Sequence, residues 1–174
     1  LIANRGEIAC RIARTCQRLG IEYVAVHSLA DAGSAHLSGA ARTVCLGAGA
    51  AAESYLNSGK LLQAAGETSC EAVHPGYGFL SENSEFAASV EATGMAFIGP
   101  SPATIAALGD KARAKALMRA AGVPVVPGTD EASDNPATIE ALARAIELPV
   151  LLKPSAGGGG KGMQIITRYE DLPR

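Results

Sequence analysis

Val150–Leu151–Leu152–Lys153–Pro154–Ser155–Ala156–Gly157–Gly158–Gly159–Gly160–Lys161–Gly162–Met163–Gln164–Ile165–Ile166–Thr167 is the most informative stretch of this 174-residue chain. Apolar runs at 149–153 and 163–167 read as two strands joined by a glycine loop. Four consecutive glycines lose much backbone entropy on ordering, so an ordered loop of this kind needs a reason. A phosphate chain supplies one, because without Cβ atoms the backbone N–H groups can close on phosphate oxygens and form an anion-binding concavity. A flexible surface hairpin is the other reading of the glycines. Lys153 follows Val150, Leu151 and Leu152, where an ammonium is costly unless it reaches solvent or an anion. It either neutralises nucleotide phosphate beside the loop or extends from the strand end into water.

Known phosphate loops narrow the choice. Gly157, Gly159 and Gly162 satisfy GxGxxG formally, but the dinucleotide version runs on into a helix, and residues 163–167 have the pattern of a strand. A Walker A loop fails because Gly162, not Ser or Thr, follows Lys161, and Ser155 stands at the first glycine. The glycine-rich loop of protein kinases does lie between strands. It requires valine where Gln164 stands, however, and its lysine follows the loop.

Upstream of this unit the chain alternates short apolar runs with amphipathic stretches. Strands are expected at 1–3, 23–27, 43–47, 72–73 and 95–98. Helices are expected from the Asn4–Glu7 turn to Gly20, from Leu56 to Ala65 with Asn57 or Ser54 as cap, and from Glu82 to Ala92. Ile8, Ile12, Cys16 and Leu19 mark the expected buried face of the first helix. This β-α-β-α order predicts an α/β fold with a doubly wound parallel sheet. After Gly99–Pro100 the pattern changes. Ala103 to Ala121 is helical with a break at Gly109–Asp110, where Asp110 suits a cap, and Thr138 to Ile146 is helical. A domain boundary is expected between residues 100 and 110.

Composition sets outer bounds. Hydrophobic residues make up 48% and charged residues 18%, with a net charge of −2, as in an ordered globular chain rather than a disordered one. A chain of this size buries roughly two-thirds of its unfolded surface. No basic block stands out, so a broad nucleic-acid-binding face is not expected. Cys10, Cys16, Cys45 and Cys70 form no CxxC and no zinc-finger spacing. They are expected to be reduced and mostly buried, which suits the cytoplasm or another reducing compartment. No apolar run approaches the ~18 residues that cross a bilayer, and no secretory signal pattern is present. Leu1 is not Met and residues 1–3 look like a strand already under way, so the true start is expected upstream, and a removed targeting segment stays open.

Several segments, in order and nearly end to end, resemble signatures of the biotin carboxylase family. They are Asn4–Arg5–Gly6–Glu7–Ile8–Ala9, His74–Pro75–Gly76–Tyr77–Gly78–Phe79–Leu80–Ser81–Glu82–Asn83, Phe97–Ile98–Gly99–Pro100, Gly109–Asp110–Lys111 and residues 156–163. The ten-residue tract 74–83 is the most specific of them. The strand–lysine–glycine loop–strand unit is similar to the ATP-grasp arrangement. The resemblance implies a doubly wound, Rossmann-like pre-ATP-grasp domain over 1–107 and the beginning of an ATP-grasp domain over 108–174.

The activity it implies is ATP-dependent carboxylation of biotin. ATP phosphorylates bicarbonate to carboxyphosphate, which breaks down to CO2, and the ureido nitrogen of carrier-bound biotin captures that CO2. Mg2+ or Mn2+ neutralises the phosphates. Matched residue by residue, Lys111 and Lys153 are implied as nucleotide ligands and Gly159 and Gly160 as closing over the phosphates. Gly157, Gly158 and Gly162 are implied to shape the loop, and Tyr77 and Gly78 to line the biotin pocket.

The implied partners are a biotin carboxyl carrier domain and a carboxyltransferase subunit or domain. A homodimer or larger complex is implied as well, with Arg11, Arg14 and Arg18 of the first helix near the subunit interface. No nucleic acid or membrane partner is implied. The implied location is the cytoplasm, or the mitochondrial matrix in a eukaryote. No catalytic or metal-binding residue is implied within 1–174. The magnesium carboxylates, and the base and arginine for bicarbonate and biotin, are expected beyond Arg174, so this stretch alone is expected to be inactive.

Pro154 departs from the alanine common in relatives. Proline favours an extended residue before it and removes one N–H, which suits Lys153 at a strand end. His27 and His36 lack partners at metal-ligand spacing and are expected to be structural, whereas His74 either orders its turn or acts in catalysis. Two alternatives stand beside the family reading. One is another ATP-grasp ligase, of the carbamoyl-phosphate synthetase or purine-pathway kind, not expected to carry tract 74–83. The other is a non-catalytic nucleotide-binding or dimerisation module.

Overall fold

A computed structural model describes residues 1–129, 132–154 and 162–172. They fall into two compact units, Leu1–Ala106 and Ala107–Arg174.

In the first unit, helix α1 (Gly6–Leu19) precedes strand β1 (Val24–Ser28) and strand β2 (Arg42–Gly47). Helix α2 (Ser58–Glu67), strand β3 (Ala72–Val73), helix α3 (Ser84–Ala92) and strand β4 (Ala96–Phe97) follow. β1 pairs with β2 and β3 with β4, both in parallel. Ile2 joins the two pairs through parallel bridges to Ala25 and His74. The spatial order is therefore β2, β1, the segment at Ile2, β3, β4, which is the doubly wound parallel arrangement expected of the sequence.

Side chains alternate across a strand, and the sheet divides its core accordingly. Ile2, Tyr23 and Ala25 face α1, packing with Ala9, Ile12 and Ala13. Leu1, Ala3, Val24 and Val26 face the other way, onto Leu61, Ala64 and Ala65 of α2 and Phe86, Ala87 and Val90 of α3. Phe86 meets Phe97 edge-to-face at 6.1 Å.

α1 ends as its sequence dictates, with Gly20 in the left-handed region at φ +66° and its N–H returned to the last turn. The expected buried face needs correction. The stripe is centred on Ala9, Ile12, Ala13 and Cys16, and Leu19 is 65% exposed. At about 100° per residue Leu19 falls on the flank of that stripe, just where the helix stops. α2 and α3 start two residues later than the pattern suggested, because Asn57 and Asn83 act as caps that accept from the N–H of Lys60 and Phe86. The cysteines are free, but three are half-buried and Cys45 is exposed, rather than mostly buried. Cys45 lies on β2, which among the described residues is paired on one side only, and half of that strand's residues are exposed.

In the second unit the alanine-rich run is broken at Asp110. Asp110 caps helix α5 (Lys111–Ala120) by accepting from the Arg113 N–H at 2.7 Å, and the helix before it, α4 (Pro102–Gly109), begins in the first unit, where Ile105 joins the core. Helix α6 (Pro136–Arg144) starts two residues earlier than expected because Asn135 caps it with Pro136 in the first turn. Strands β5 (Val150–Leu152) and β6 (Gln164–Ile166) pair antiparallel, Leu152 opposite Gln164. No helix among the described residues is long and apolar enough to cross a membrane.

Candidate functional site

The first unit carries a crevice-forming point in its sheet. Strand order reverses around Ile2, since β1 lies on one side of it and β3 on the other. In open α/β sheets ligands bind outside the carboxyl ends of the strands at such a point. The residues leaving those ends here are Asn4 and Arg5 after Ile2, and residues 74–78 after β3.

These two exits are bound together. His74 joins the main-chain ladder of residues 1–3, its N–H donating to Leu1 O at 2.8 Å and its carbonyl accepting from Ala3 N at 2.9 Å. Its Nδ1 accepts from Gly76 N–H at 3.0 Å. Burial lowers the His74 pKa from its ordinary value, which keeps the imidazole neutral and able to accept. The turn-ordering reading of His74 is thus the one its geometry supports. Asn4 is 3% exposed and donates both Nδ2 hydrogens across the gap, to Pro75 O at 2.7 Å and Tyr77 O at 2.9 Å. Tyr77 is 62% exposed, and its hydroxyl donates to Glu7 Oε2 at 3.3 Å. Gly78 adopts φ +67° with open space where a side chain would stand.

Behind the turn lies a polar cluster that the sequence reading did not single out. Arg5 donates through Nε and Nη2 to both oxygens of Asp31, at 2.7 and 2.6 Å. Tyr55 donates to Asp31 Oδ2 at 2.7 Å, and Ser28 Oγ does so at 3.1 Å. The Arg5 guanidinium, followed by the Tyr55 and Ser28 donors, holds the Asp31 carboxyl well below the usual carboxylate range, and burial does not reverse this. Burial raises the Tyr55 hydroxyl pKa. The Tyr55 ring stacks on Phe79 at 5.2 Å, so the cluster runs from the first βα turn to the middle of tract 74–83. A signal was present: Ser28–Leu29–Ala30–Asp31 has the Ser-x-x-Asp spacing of a helix start directly after a buried strand.

The remaining candidates lie in the second unit. Lys111 stands exposed in the first turn of α5. Lys153 follows β5 directly and is exposed, so its ammonium leaves the strand for solvent. Gly162 has φ +72°, and a side chain there would meet the Pro154 ring at 2.9 Å, so Pro154 and Gly162 pack together at the base of the β5–β6 connection. The connection leads into an antiparallel strand and not a helix, which excludes the dinucleotide and Walker A readings. Gly157, Gly158, Gly159 and Gly160 lie outside the described residues. No group of three His, Cys, Asp or Glu side chains that could hold a metal exists among the described residues. Two surface hollows, about 100 and 260 Å3, lie along α1 and around Tyr23; Arg14 lines the first, and Tyr77, Gly78, Lys111 and Lys153 line neither.

Comparison with known proteins gives the site its context. Residues 1–105 match the biotin carboxylase N-terminal domain. Residues 110–174 match the ATP-binding domain of the carbamoyl-phosphate synthase L chain. The chain is 53% identical to a biotin carboxylase of Allochromatium vinosum over 95% of this chain and 37% of that protein. It is 52% identical to the mitochondrial methylcrotonoyl-CoA carboxylase subunit alpha of Oryza sativa subsp. japonica, over 99% of this chain and 23% of that subunit. Among solved structures, the biotin carboxylase domain dimer of Hydrogenobacter thermophilus 2-oxoglutarate carboxylase, in complex with MgADP, ADP and bicarbonate, superposes with a TM-score of 0.91. Identity to it is 44%, over 97% of this chain and 37% of that one. The chain thus spans well under half the length of these relatives. With the parallel sheet, the tract at its switch point and these matches in agreement, the chain belongs to the biotin carboxylase family.

Proposed function

We propose that this chain supplies the pre-ATP-grasp domain (residues 1–107) and the opening of the ATP-grasp domain (108–174) of an enzyme that carboxylates carrier-bound biotin at the expense of ATP. Bicarbonate takes the γ-phosphoryl group to give carboxyphosphate and ADP. Carboxyphosphate releases CO2 and phosphate, and the biotin ureido nitrogen bonds to the CO2 carbon as it loses its proton. The observation that carries this reading is Lys153, exposed at the exit of β5 and entering a glycine-rich connection whose far end, Gly162, is packed on Pro154.

In this proposal Lys153 and Lys111 balance nucleotide phosphate, Gly157–Gly160 offer backbone donors to the phosphate oxygens, and Gly162 closes the hairpin. Tyr77 and Gly78 form an edge of the biotin pocket. The described residues offer cations and backbone donors and no carboxylate cluster, so a divalent ion that neutralises phosphate would draw its ligands from elsewhere in the protein. A biotin carboxyl carrier domain and a carboxyltransferase domain or subunit complete the reaction, in a homodimer or larger complex. The cytoplasm or the mitochondrial matrix suits the free thiols.

The test uses the full-length protein and follows bicarbonate-dependent ADP release with and without free biotin. Lys153→Ala is expected to raise the KM for ATP about tenfold or more, as loss of one charge-assisted phosphate contact does. Unchanged ATP kinetics would overturn the nucleotide assignment. The match of residues 110–174 to the carbamoyl-phosphate synthase ATP-binding domain favours a second reading, another ATP-grasp ligase. ADP release that biotin does not stimulate would favour that reading.

A further inference from the structure

Asn4 is buried and polar, two residues after Ile2, where the sheet order reverses. Its Nδ2 donates to Pro75 O and Tyr77 O, 71 and 73 residues away, while its Oδ1 accepts from Arg5 N–H at 2.9 Å. Every hydrogen-bonding atom of the amide except one Oδ1 lone pair is thereby engaged. The turn also rests directly on this side chain. Gly76 has φ +68°, and a Cβ there would lie 2.8 Å from Asn4 Nδ2 and 3.1 Å from Ile8 Cγ1. Two further bonds close the same turn, Gly76 N–H to His74 Nδ1 and Tyr77 hydroxyl to Glu7. The inner side of residues 75–78 is therefore held at several points, while the outer side presents the exposed Tyr77 ring and the unobstructed Gly78.

We propose that Asn4 is a positioning residue. By clamping the Pro75 and Tyr77 carbonyls it holds Tyr77 and Gly78 as one rigid edge for the biotin ring, and it sets biotin affinity without acting on the nucleotide. This rests on the assignment of Tyr77 and Gly78 to the biotin pocket. The physical basis is preorganisation: a turn already ordered loses little freedom when the ligand docks, whereas a loosened one must be ordered at the expense of binding. Asn4→Asp keeps the shape, removes both donors and sets carboxylate oxygens against two carbonyls. Asn4→Ala removes the clamp altogether.

The experiment measures KM for free biotin and for ATP in the full-length protein, for Asn4→Ala, Asn4→Asp, Gly76→Ala, Tyr77→Ala and Gly78→Val. The expected result is a rise of about tenfold in biotin KM for Asn4→Ala and more for Asn4→Asp, with ATP KM within about twofold of the parent. Gly76→Ala, which presses on the clamp from the opposite side, is expected to show the same split. It decides the matter if the Asn4 variants do not fold. A biotin KM that moves for Tyr77→Ala and Gly78→Val but not for Asn4 or Gly76 variants overturns the positioning role alone. No change in any variant overturns the biotin edge and the clamp together. Equal effects on biotin and ATP reduce Asn4 to a structural residue and overturn the proposal.

Discussion

The two units are built from similar side chains but cover them differently. In the first, alternate residues of parallel strands enter two cores, one beneath α1 and one beneath α2 and α3, and the sheet is covered on both faces. In the second, α6 covers one face of the β5–β6 hairpin, where Ala143, Ile166 and Leu172 are buried. The cross-strand neighbours Leu151 and Ile165 point the other way and are 43% and 69% exposed. Polar groups follow the same division. The first unit buries Asn4, Ser28, Asp31, His36 and Ser54 and provides nearly all of them with partners. Among the described residues of the second, the ion pairs of Arg144 with Glu140 and of Arg168 with Asp171 join partly or largely exposed side chains, where water and salt screen the attraction and little stability is gained. The contrast teaches that, among the described residues, buried polar groups with partners are concentrated in the first unit, several of them close to the sheet's switch point.

Three measurements sharpen or break that contrast. The largest effect is expected from Phe86→Ala, which empties a site 2% exposed and removes the edge-to-face contact with Phe97. It should lower unfolding free energy by about 3–5 kcal/mol in urea titrations followed by circular dichroism. A loss under about 1 kcal/mol would mean that the first unit is not the tightly packed one.

Asp31→Asn comes next. It leaves Arg5 without its carboxylate and weakens the acceptor for Tyr55, for about 1–3 kcal/mol near neutral pH. The sign with pH follows from the direction of the shift. Asp31 is depressed in the fold, so its contribution is present above the unfolded value near ~3.9 and fades as pH falls through the folded value. The gap between variant and parent should therefore begin to narrow only once pH falls below ~3.9 and keep closing in stronger acid, and a gap that stays constant with acid would refute the ion pair's part. The smallest effect is expected from Leu151→Thr and Ile165→Thr, about 0.5 kcal/mol or less, because these side chains are already in water. A loss several times larger would show that the exposed face of the hairpin is covered in solution.

Much of this was legible in the residues. Period-2 and period-3.6 spacing located the strands and helices, and Gly20, Asn57 and Asp110 acted as the stop and caps their chemistry suggests. Errors fell where local pattern competes with position. Leu19 satisfied the helical spacing but sits on the flank of the stripe, and Cys45 alternates outward on a strand that among the described residues is paired on one side only. For the candidate site, Tyr77 and Gly78 were named from their tract and Lys153 from its apolar neighbours. Asn4, Asp31 and Tyr55 were not, because each is an ordinary polar residue until a distant segment arrives beside it.

Local order was thus written in the chain: alternating runs of apolar residues, glycines where φ must be positive, and small polar residues where helices begin. Such features depend on neighbours a few residues away, and backbone sterics and hydrogen bonding settle them early. Which side chains meet across 71 residues, as Asn4 and Pro75 do, was decided only when parallel strands brought residues 2 and 74 together. Parallel pairing has no short-range signature, because its partners are chosen by burial of both sheet faces at once.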